Sequence, residues 1–231
     1  MAVLYDNLNP YLLLDLPFRE GVGTVTYDMS KYHREMTLVN TPTWTTITSG
    51  LPVLSFAATS HEYFECDHTL TTELNFTTGD YSIGGWVNYS GSNNNMILAR
   101  YELDKSGWEL YFYDAILTLR HSHAAGATVR TAAYSSGWTV STWWFLGVSR
   151  SGGNAQFYRG GASGLIPVAT TISTDGLIDP ETCAQDLVNC RFTKDQDEFN
   201  GPEKGIRVWG KDLTENDWRG IYNREKGWYG Y

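Results

Sequence analysis

Leu12-Leu13-Leu14-Asp15-Leu16-Pro17-Phe18-Arg19-Glu20-Gly21-Val22-Gly23-Thr24 stands near the start of the chain, and Gly205-Ile206-Arg207-Val208-Trp209-Gly210-Lys211-Asp212-Leu213-Thr214 near its end. The first reads as a strand that stops at a turn bracketed by Gly21 and Gly23, followed by Tyr27-Asp28-Met29-Ser30. The second reads as a strand that feeds a short helix. Thr214 is positioned to cap that helix, with Asp217 filling the reciprocal place in a capping box. Trp218, Ile221 and Tyr222 then fall at i, i+3 and i+4, an apolar stripe suited to docking on a sheet.

Working outward, alternation and turn signals recur about every ten residues, the rhythm of a β-sandwich. Pro52–Phe56, Tyr63–Asp67, Tyr81–Asn88 and Met96–Glu102 read as strands, the last after a Gly91–Asn95 turn. Trp108–Tyr113 and Ile116–His121 form a hairpin around Asp114-Ala115, and Trp143–Ser149 with Ala155–Arg159 a second one. Ile166–Ile172, Leu187–Phe192 and Ile206–Trp209 complete the set. With no linker, repeat or low-complexity tract, residues 1–231 form one domain with a core over roughly residues 11–224.

The 231 residues are 42% hydrophobic and 19% charged, enough apolar surface for a real core. A net charge of −9 without any Lys/Arg cluster excludes a nucleic-acid partner. No apolar run approaches the ~20 residues of a membrane span, and no stretch reads as a secretion signal. Cys66 alternates with Phe64 and reads as a small core thiol. Cys183 and Cys190 flank a polar stretch and either close a short loop by a disulfide or stand free.

Several segments, taken in order, resemble the laminin G-like domains of the concanavalin A-like lectin/glucanase superfamily. They are the two terminal motifs, Gly50 to Asp67, and Asp80-Tyr81-Ser82-Ile83-Gly84-Gly85-Trp86-Val87. Gly107 to Phe112, Trp143 to Arg150 and Gln156 to Gly161 follow. The resemblance implies an all-β, concanavalin A-like jelly-roll sandwich of two antiparallel sheets with one short C-terminal helix, its first and last strands paired. The family's hydrolases place carboxylates on one strand as Glu-x-Asp-x-(x)-Glu, and no segment here reads that way; the expectation is a protein that is not an enzyme. Many relatives hold calcium through an early Asp and a late one. Asp28 matches the early position, whereas Lys204 stands at the late one. Calcium takes roughly six to eight oxygens, and Asp195 and Asp197 in the polar run 195–200 offer a further cluster.

Candidate contact residues come from alternation. On Trp108–Tyr113, Leu110 and Phe112 read as core, so Glu109, Tyr111 and Tyr113 face the other way. The neighbouring strand sets Thr118 and Arg120 opposite Leu117 and Leu119. Tyrosine rings with a carboxylate and a guanidinium suit a sugar, whose C–H face and hydroxyls need both; a surface of that kind also suits a protein partner. His121 and His123 share a strand face, but two histidines alone lack the ligands zinc requires. Asn93-Asn94-Asn95 and the loop from Ser173 to Asp186 are exposed turns where recognition residues commonly sit.

Two functions suit this reading. One is a non-catalytic module that binds a glycan or glycoprotein. The other is a structural virion protein, a capsid decoration or tail component, whose jelly roll serves assembly. Both place the protein outside the cell or on a virion surface, and a phage product reaches the outside by lysis without a signal.

Overall fold

Strand-forming alternation runs through nearly the whole chain, and the computed structural model resolves it into two stacked sheets. It describes residues 7–231 except 92–93, 124–127, 136 and 175. In chain order the strands are β1 (Leu12–Leu16), β2 (Val25–Tyr27), β3 (Glu35–Val39), β4 (Thr43–Thr46), β5 (Pro52–Phe56) and β6 (Tyr63–Cys66). They continue with β7 (Tyr81–Val87), β8 (Asn94–Glu102), β9 (Ser106–Tyr113), β10 (Ile116–His123), β11 (Thr128–Tyr134) and β12 (Trp144–Ser151). The last five are β13 (Asn154–Gly161), β14 (Gly164–Val168), β15 (Thr171–Ile172), β16 (Leu187–Val188) and β17 (Gly201–Trp209), followed by helix α1 (Glu215–Glu225).

The first sheet runs β14-β13-β12-β7-β17-β5-β4, with β1 also paired to β17. The second runs β15-β11-β10-β9-β8-β16-β6-β3-β2. Pairing is antiparallel within both sheets. The terminal strands meet as expected, Asp15 opposite Arg207 and Leu16 opposite Ile206. Between the sheets lies one continuous core, with Leu14, Ile83, Leu110, Phe112, Leu119, Val148 and Val208 fully buried. Among the described residues, no helix is long and apolar enough to cross a membrane.

Helix α1 docks on the outer face of the first sheet, and three neighbouring strands are cut back to receive it. A Cβ on Gly84 of β7 would stand 2.5 Å from the Trp218 ring, one on Gly147 of β12 2.9 Å from it, and one on Gly160 of β13 2.5 Å from Tyr222. Only glycine leaves room for those rings, which bury fully with Trp86, Phe145 and Trp209. The Trp218 indole N–H donates to Ser149 Oγ at 2.8 Å, and the Tyr222 hydroxyl to the Gly161 carbonyl at 2.6 Å. The Thr214–Asp217 capping box forms in full.

Two expected strands change, and the alternative left open at Cys183 and Cys190 is decided. The stretch Ile166–Ile172 divides into β14 and β15, which belong to different sheets, so the chain crosses between sheets where one strand was expected. Leu187–Phe192 shrinks to β16: the Asn189 side chain turns to accept from the Phe64 N–H at 2.8 Å, and the ladder ends there. Cys183 and Cys190 form no bridge, and all three cysteines are free and buried. Cys183 lies beside Gly107, whereas Cys190 packs in an apolar cluster on the outer face of the second sheet.

Among the polar groups that the fold buries, His121 and Glu203 bear directly on stability. His121 Nδ1 meets the Ile178 carbonyl at 2.7 Å, which accepts only, so Nδ1 carries the proton and Nε2 accepts from the Tyr81 hydroxyl at 2.5 Å. Burial holds His121 near 4, neutral at ordinary pH. Glu203 of β17 is fully buried; the Asn189 amide donates to one oxygen at 3.4 Å and the other has no partner. Burial raises its carboxyl well above 4.5. A raised carboxyl leaves stability intact below the unfolded value and erodes it as pH climbs toward the folded one. Glu203→Gln removes that dependence. Its unfolding free energy, measured by urea denaturation, is expected to gain on the parent steadily from pH 5 upward, at no more than about 1.4 kcal/mol per pH unit; a gap independent of pH contradicts the assignment.

Candidate functional site

The hairpin β9–β10 turns on Asp114 and Ala115, both with positive φ (45° and 62°), the geometry of a two-residue turn that matches strand twist. That tight turn sets the register: Glu109 pairs with Arg120, Tyr111 with Thr118 and Tyr113 with Ile116. Leu110, Phe112, Leu117 and Leu119 enter the core. The opposite parity puts Glu109, Tyr111, Tyr113 and Arg120 on the outer face of the second sheet, where all four line one depression of about 210 Å³.

Other elements close its sides. β8 contributes Asn94 and Met96, directly opposite Tyr113 and Tyr111. Tyr101 and Leu103 add apolar wall, and the loop after β16 brings Arg191, Phe192 and Asp197 over the sheet. The floor is an ion pair between a buried carboxylate and a partly exposed guanidinium, Arg120 Nη1 to Glu109 Oε1 at 2.9 Å. Arg120 also donates to the Tyr111 hydroxyl, and its guanidinium lies 4.8 Å from the centre of that ring. The buried Tyr101 hydroxyl makes no well-formed hydrogen bond, although Arg120 and Ser122 lie near it. Burial pushes the Glu109 carboxyl up to about 7, against the opposing pull of Arg120. Tyr113, 49% exposed, forms the rim. Asp197 accepts from the Asn94 amide at 2.8 Å and stands 3.8 Å from Arg191.

The acids offered for calcium are placed differently. Asp28 is buried with both oxygens occupied, by the Asp15 N–H at 2.9 Å, the Ser30 N–H and hydroxyl at 2.8 Å, and Arg34 Nη1 at 2.6 Å. Asp195 is exposed and accepts from the Thr193 hydroxyl. Asp197 belongs to the depression. Lys204 donates to the Phe18 carbonyl at 2.7 Å. Among the described residues, Asp67, His68 and Asp186 could converge on a metal ion, but Lys194 Nζ already sits 2.7 Å from Asp186 and from Glu65. His121 faces the interior, whereas His123 pairs with Glu181 at 2.8 Å, so the two do not converge on one ion.

Sequence reading missed Tyr101, Met96, Arg191 and Phe192. Nothing local marks them, because only the fold brings β8 and the 189–199 loop to this face. Asn94 lay in a stretch read as a turn; it opens β8 instead, and Asn93 lies outside the described residues, as does Asp175 in the loop from Ser173 to Asp186.

No known protein-family profile matches the chain, and no curated protein sequence does. Solved structures share its fold. The binding domain of botulinum neurotoxin serotype D superposes with a TM-score of 0.67 at 14% identity, over 95% of this chain and 53% of that one. A botulinum neurotoxin type C structure, whose cell entry is described as dependent on two ganglioside molecules, gives 0.65 at 15% identity over 95% and 53%. The binding domain of botulinum neurotoxin DC in complex with SialylT gives 0.65 at 16% over 94% and 51%. The chain thus spans about half the length of these neighbours, and what it shares with them is a β-sandwich fold.

Glu109 is buried while Arg120 is partly exposed, so removing the arginine strands the acid. Arg120→Ala is expected to lower unfolding free energy by about 1–3 kcal/mol, and Glu109→Gln, which keeps a hydrogen-bond acceptor for Arg120, by clearly less. Equal losses in chemical denaturation would show that the charge pairing is not what holds this floor.

Proposed function

We propose that the chain is a non-catalytic, laminin G-like binding module that recognises a glycan or glycoprotein through the depression on its second sheet. One observation carries this reading: Tyr111 and Tyr113 stand with Phe192 around a floor of ionic and amide groups. Flat apolar rings suit the C–H face of a sugar, and Glu109, Asn94, Arg191 and Asp197 offer donors and acceptors for its hydroxyls. Neighbours of the same fold are described with gangliosides and with SialylT, which supports the ligand class without locating a contact here, since half of each neighbour has no counterpart in this chain.

A module of this kind acts where glycans are displayed, outside the cell or on a virion surface. The reading is non-catalytic because Glu109 is tied to Arg120 and Asp197 to Asn94. Calcium belongs to it as a ligand of Asp195 and Asp197 beside the depression, since Arg34 already neutralises Asp28.

A glycan array probed with the purified chain, with calcium and again with a chelator, tests the proposal. Selective binding is expected. Tyr113→Ala, at an exposed rim position, is expected to weaken it by about tenfold, the loss of about 1.4 kcal/mol, while the thermal unfolding midpoint stays put. Loss on chelation supports the calcium ligands. A blank array in both conditions would overturn the glycan reading and turn the tyrosine face toward a protein partner such as a capsid or tail component.

A further inference from the structure

Beyond helix α1 the chain runs on into a 3-10 turn, Lys226–Tyr229, which Gly230 closes at φ 84° with its N–H on the Lys226 carbonyl. Such a turn has about three residues per revolution, so adjacent side chains point roughly 120° apart. Tyr229 faces the sheet, stacked on Trp86 at 3.8 Å between ring centres, while Trp228 faces outward, 51% exposed. Tyr231 completes the anchor, its hydroxyl donating to the Trp143 carbonyl at 2.6 Å. Among the described residues, the ring stacking of this segment belongs to Tyr222, Tyr229 and Tyr231, and Trp228 takes no part in it.

The turn between β4 and β5 comes to the same place. The Ile47 N–H donates to the Leu51 carbonyl at 3.0 Å and the Gly50 N–H to the Ile47 carbonyl at 2.8 Å, which leaves Thr48 and Ser49 at an exposed tip. Ile47, Thr48 and Ser49 line a cleft of about 390 Å³ together with Trp143, Trp228 and Tyr229 and the backbone of two glycines. That volume falls within the roughly 300–1,000 Å³ of small-molecule sites. Among the described residues no charged side chain lines the cleft, although the chain carries 26 acids and 17 bases. Its polar side-chain groups are neutral: the hydroxyls of Thr48 and Ser49 and the indole N–H groups of Trp143 and Trp228.

We propose that this cleft is a second binding site, for a neutral saccharide, with the C–H face of one sugar ring against Trp228 and its hydroxyls bonded by Thr48 and Ser49. An ion finds no opposite charge here. An acyl chain would stay largely in water, because Thr48, Ser49 and Trp228 are all exposed. A sugar tolerates that half-open setting, with one apolar face to cover and hydroxyls that are content in water or against a neutral donor. The cleft shares no residue with the tyrosine depression and does not rest on the reading of it.

NMR of the full chain, isotopically labelled at tryptophan and titrated with cellobiose, maltose, lactose and chitobiose, tests this, with glycerol and cyclohexanol as controls. The Trp228 indole resonance is identified as the one missing from Trp228→Ala, and that of Trp143 from Trp143→Phe. No tryptophan lines the depression, so a shift at Trp228 reports this cleft. At least one disaccharide is expected to shift it with a Kd of about 1–10 mM. Glycerol, which has hydroxyls without a ring face, and cyclohexanol, a ring with a single hydroxyl, are expected to leave it in place. Thr48→Val combined with Ser49→Ala is expected to weaken the sugar by about threefold or more, and Trp228→Ala to abolish the response of Trp143. Thr48, Ser49 and Trp228 are exposed, so the fold is retained, as circular dichroism would verify. Tyr113→Ala is expected to change nothing in these titrations. The proposal is overturned if no disaccharide moves Trp228, if cyclohexanol moves it as readily as the sugars, or if either cleft variant binds like the parent. Glycan binding that Tyr113→Ala abolishes while Trp228 stays unmoved would place recognition in the depression and equally overturn the cleft.

Discussion

Insertion of β17 into the middle of the first sheet is the pairing on which the remaining structure depends. Along one edge it meets β7; along the other, Gly201–Glu203 meet β5 and Ile206–Trp209 meet β1. The last strand thereby ties together segments from the beginning and the middle of the chain. Loop-closure entropy rises only slowly with length, so the cost in stability is modest, although such distant pairing slows folding. With β17 in place, Ile206 and Val208 complete the core while Trp209 supports Trp218 edge-on at 5.4 Å. Helix α1 has no reason to dock until that surface exists. Its apolar stripe and the glycine-lined groove in β7, β12 and β13 are two halves of one fit.

Legibility in the sequence followed the range of the interactions. The β9–β10 hairpin was readable because its register is set by a two-residue turn and its parity by four core side chains, so Glu109, Tyr111, Tyr113 and Arg120 could be placed on one face from alternation alone. The capped helix was readable for the same reason, its signals lying within two turns. β3 also alternates, Met36 and Leu38 inward and Glu35 and Thr37 outward, but at five residues it is too short for alternation to mark it off from the polar stretch before it. The bulge at Gly205, where the ladder of β17 with β7 slips between Lys204 and Arg207, left no local mark, since Lys-Gly-Ile-Arg reads as an ordinary strand start. The walls of the depression were hidden more deeply: Arg191, Phe192 and Asp197 arrive through a loop whose path depends on where the Asn189 side chain bonds.

Buried arginines in this protein tie irregular stretches to the sheets. Arg100, buried, donates to the carbonyls of His68, Thr71 and Cys183, pinning two irregular stretches against β8. Arg34 does the same for Leu13 and Leu70 while neutralising Asp28. A guanidinium suits this role because its donors fan out in a plane and its charge persists when buried.

The carboxyl at Glu109 is the one feature of the depression that invites a catalytic reading, because a general acid needs a value near neutrality and burial supplies one. Geometry argues the other way. A glycosidase acid must hold its proton toward the scissile bond, with a second carboxylate free to act on the far side. Glu109 instead lies on the floor with Arg120 at 2.9 Å, so any proton it holds competes with a guanidinium for the same group. Asp197, the second acid in the depression, is bonded to Asn94 and faces Arg191. Both carboxylates are therefore restrained by partners that resist the charge changes catalysis demands. The same restraints suit recognition, where fixed donors and acceptors lower the entropy lost on binding. On that physical ground the raised carboxyl at Glu109 is better understood as a consequence of building a rigid polar floor under aromatic rings than as a device for moving protons.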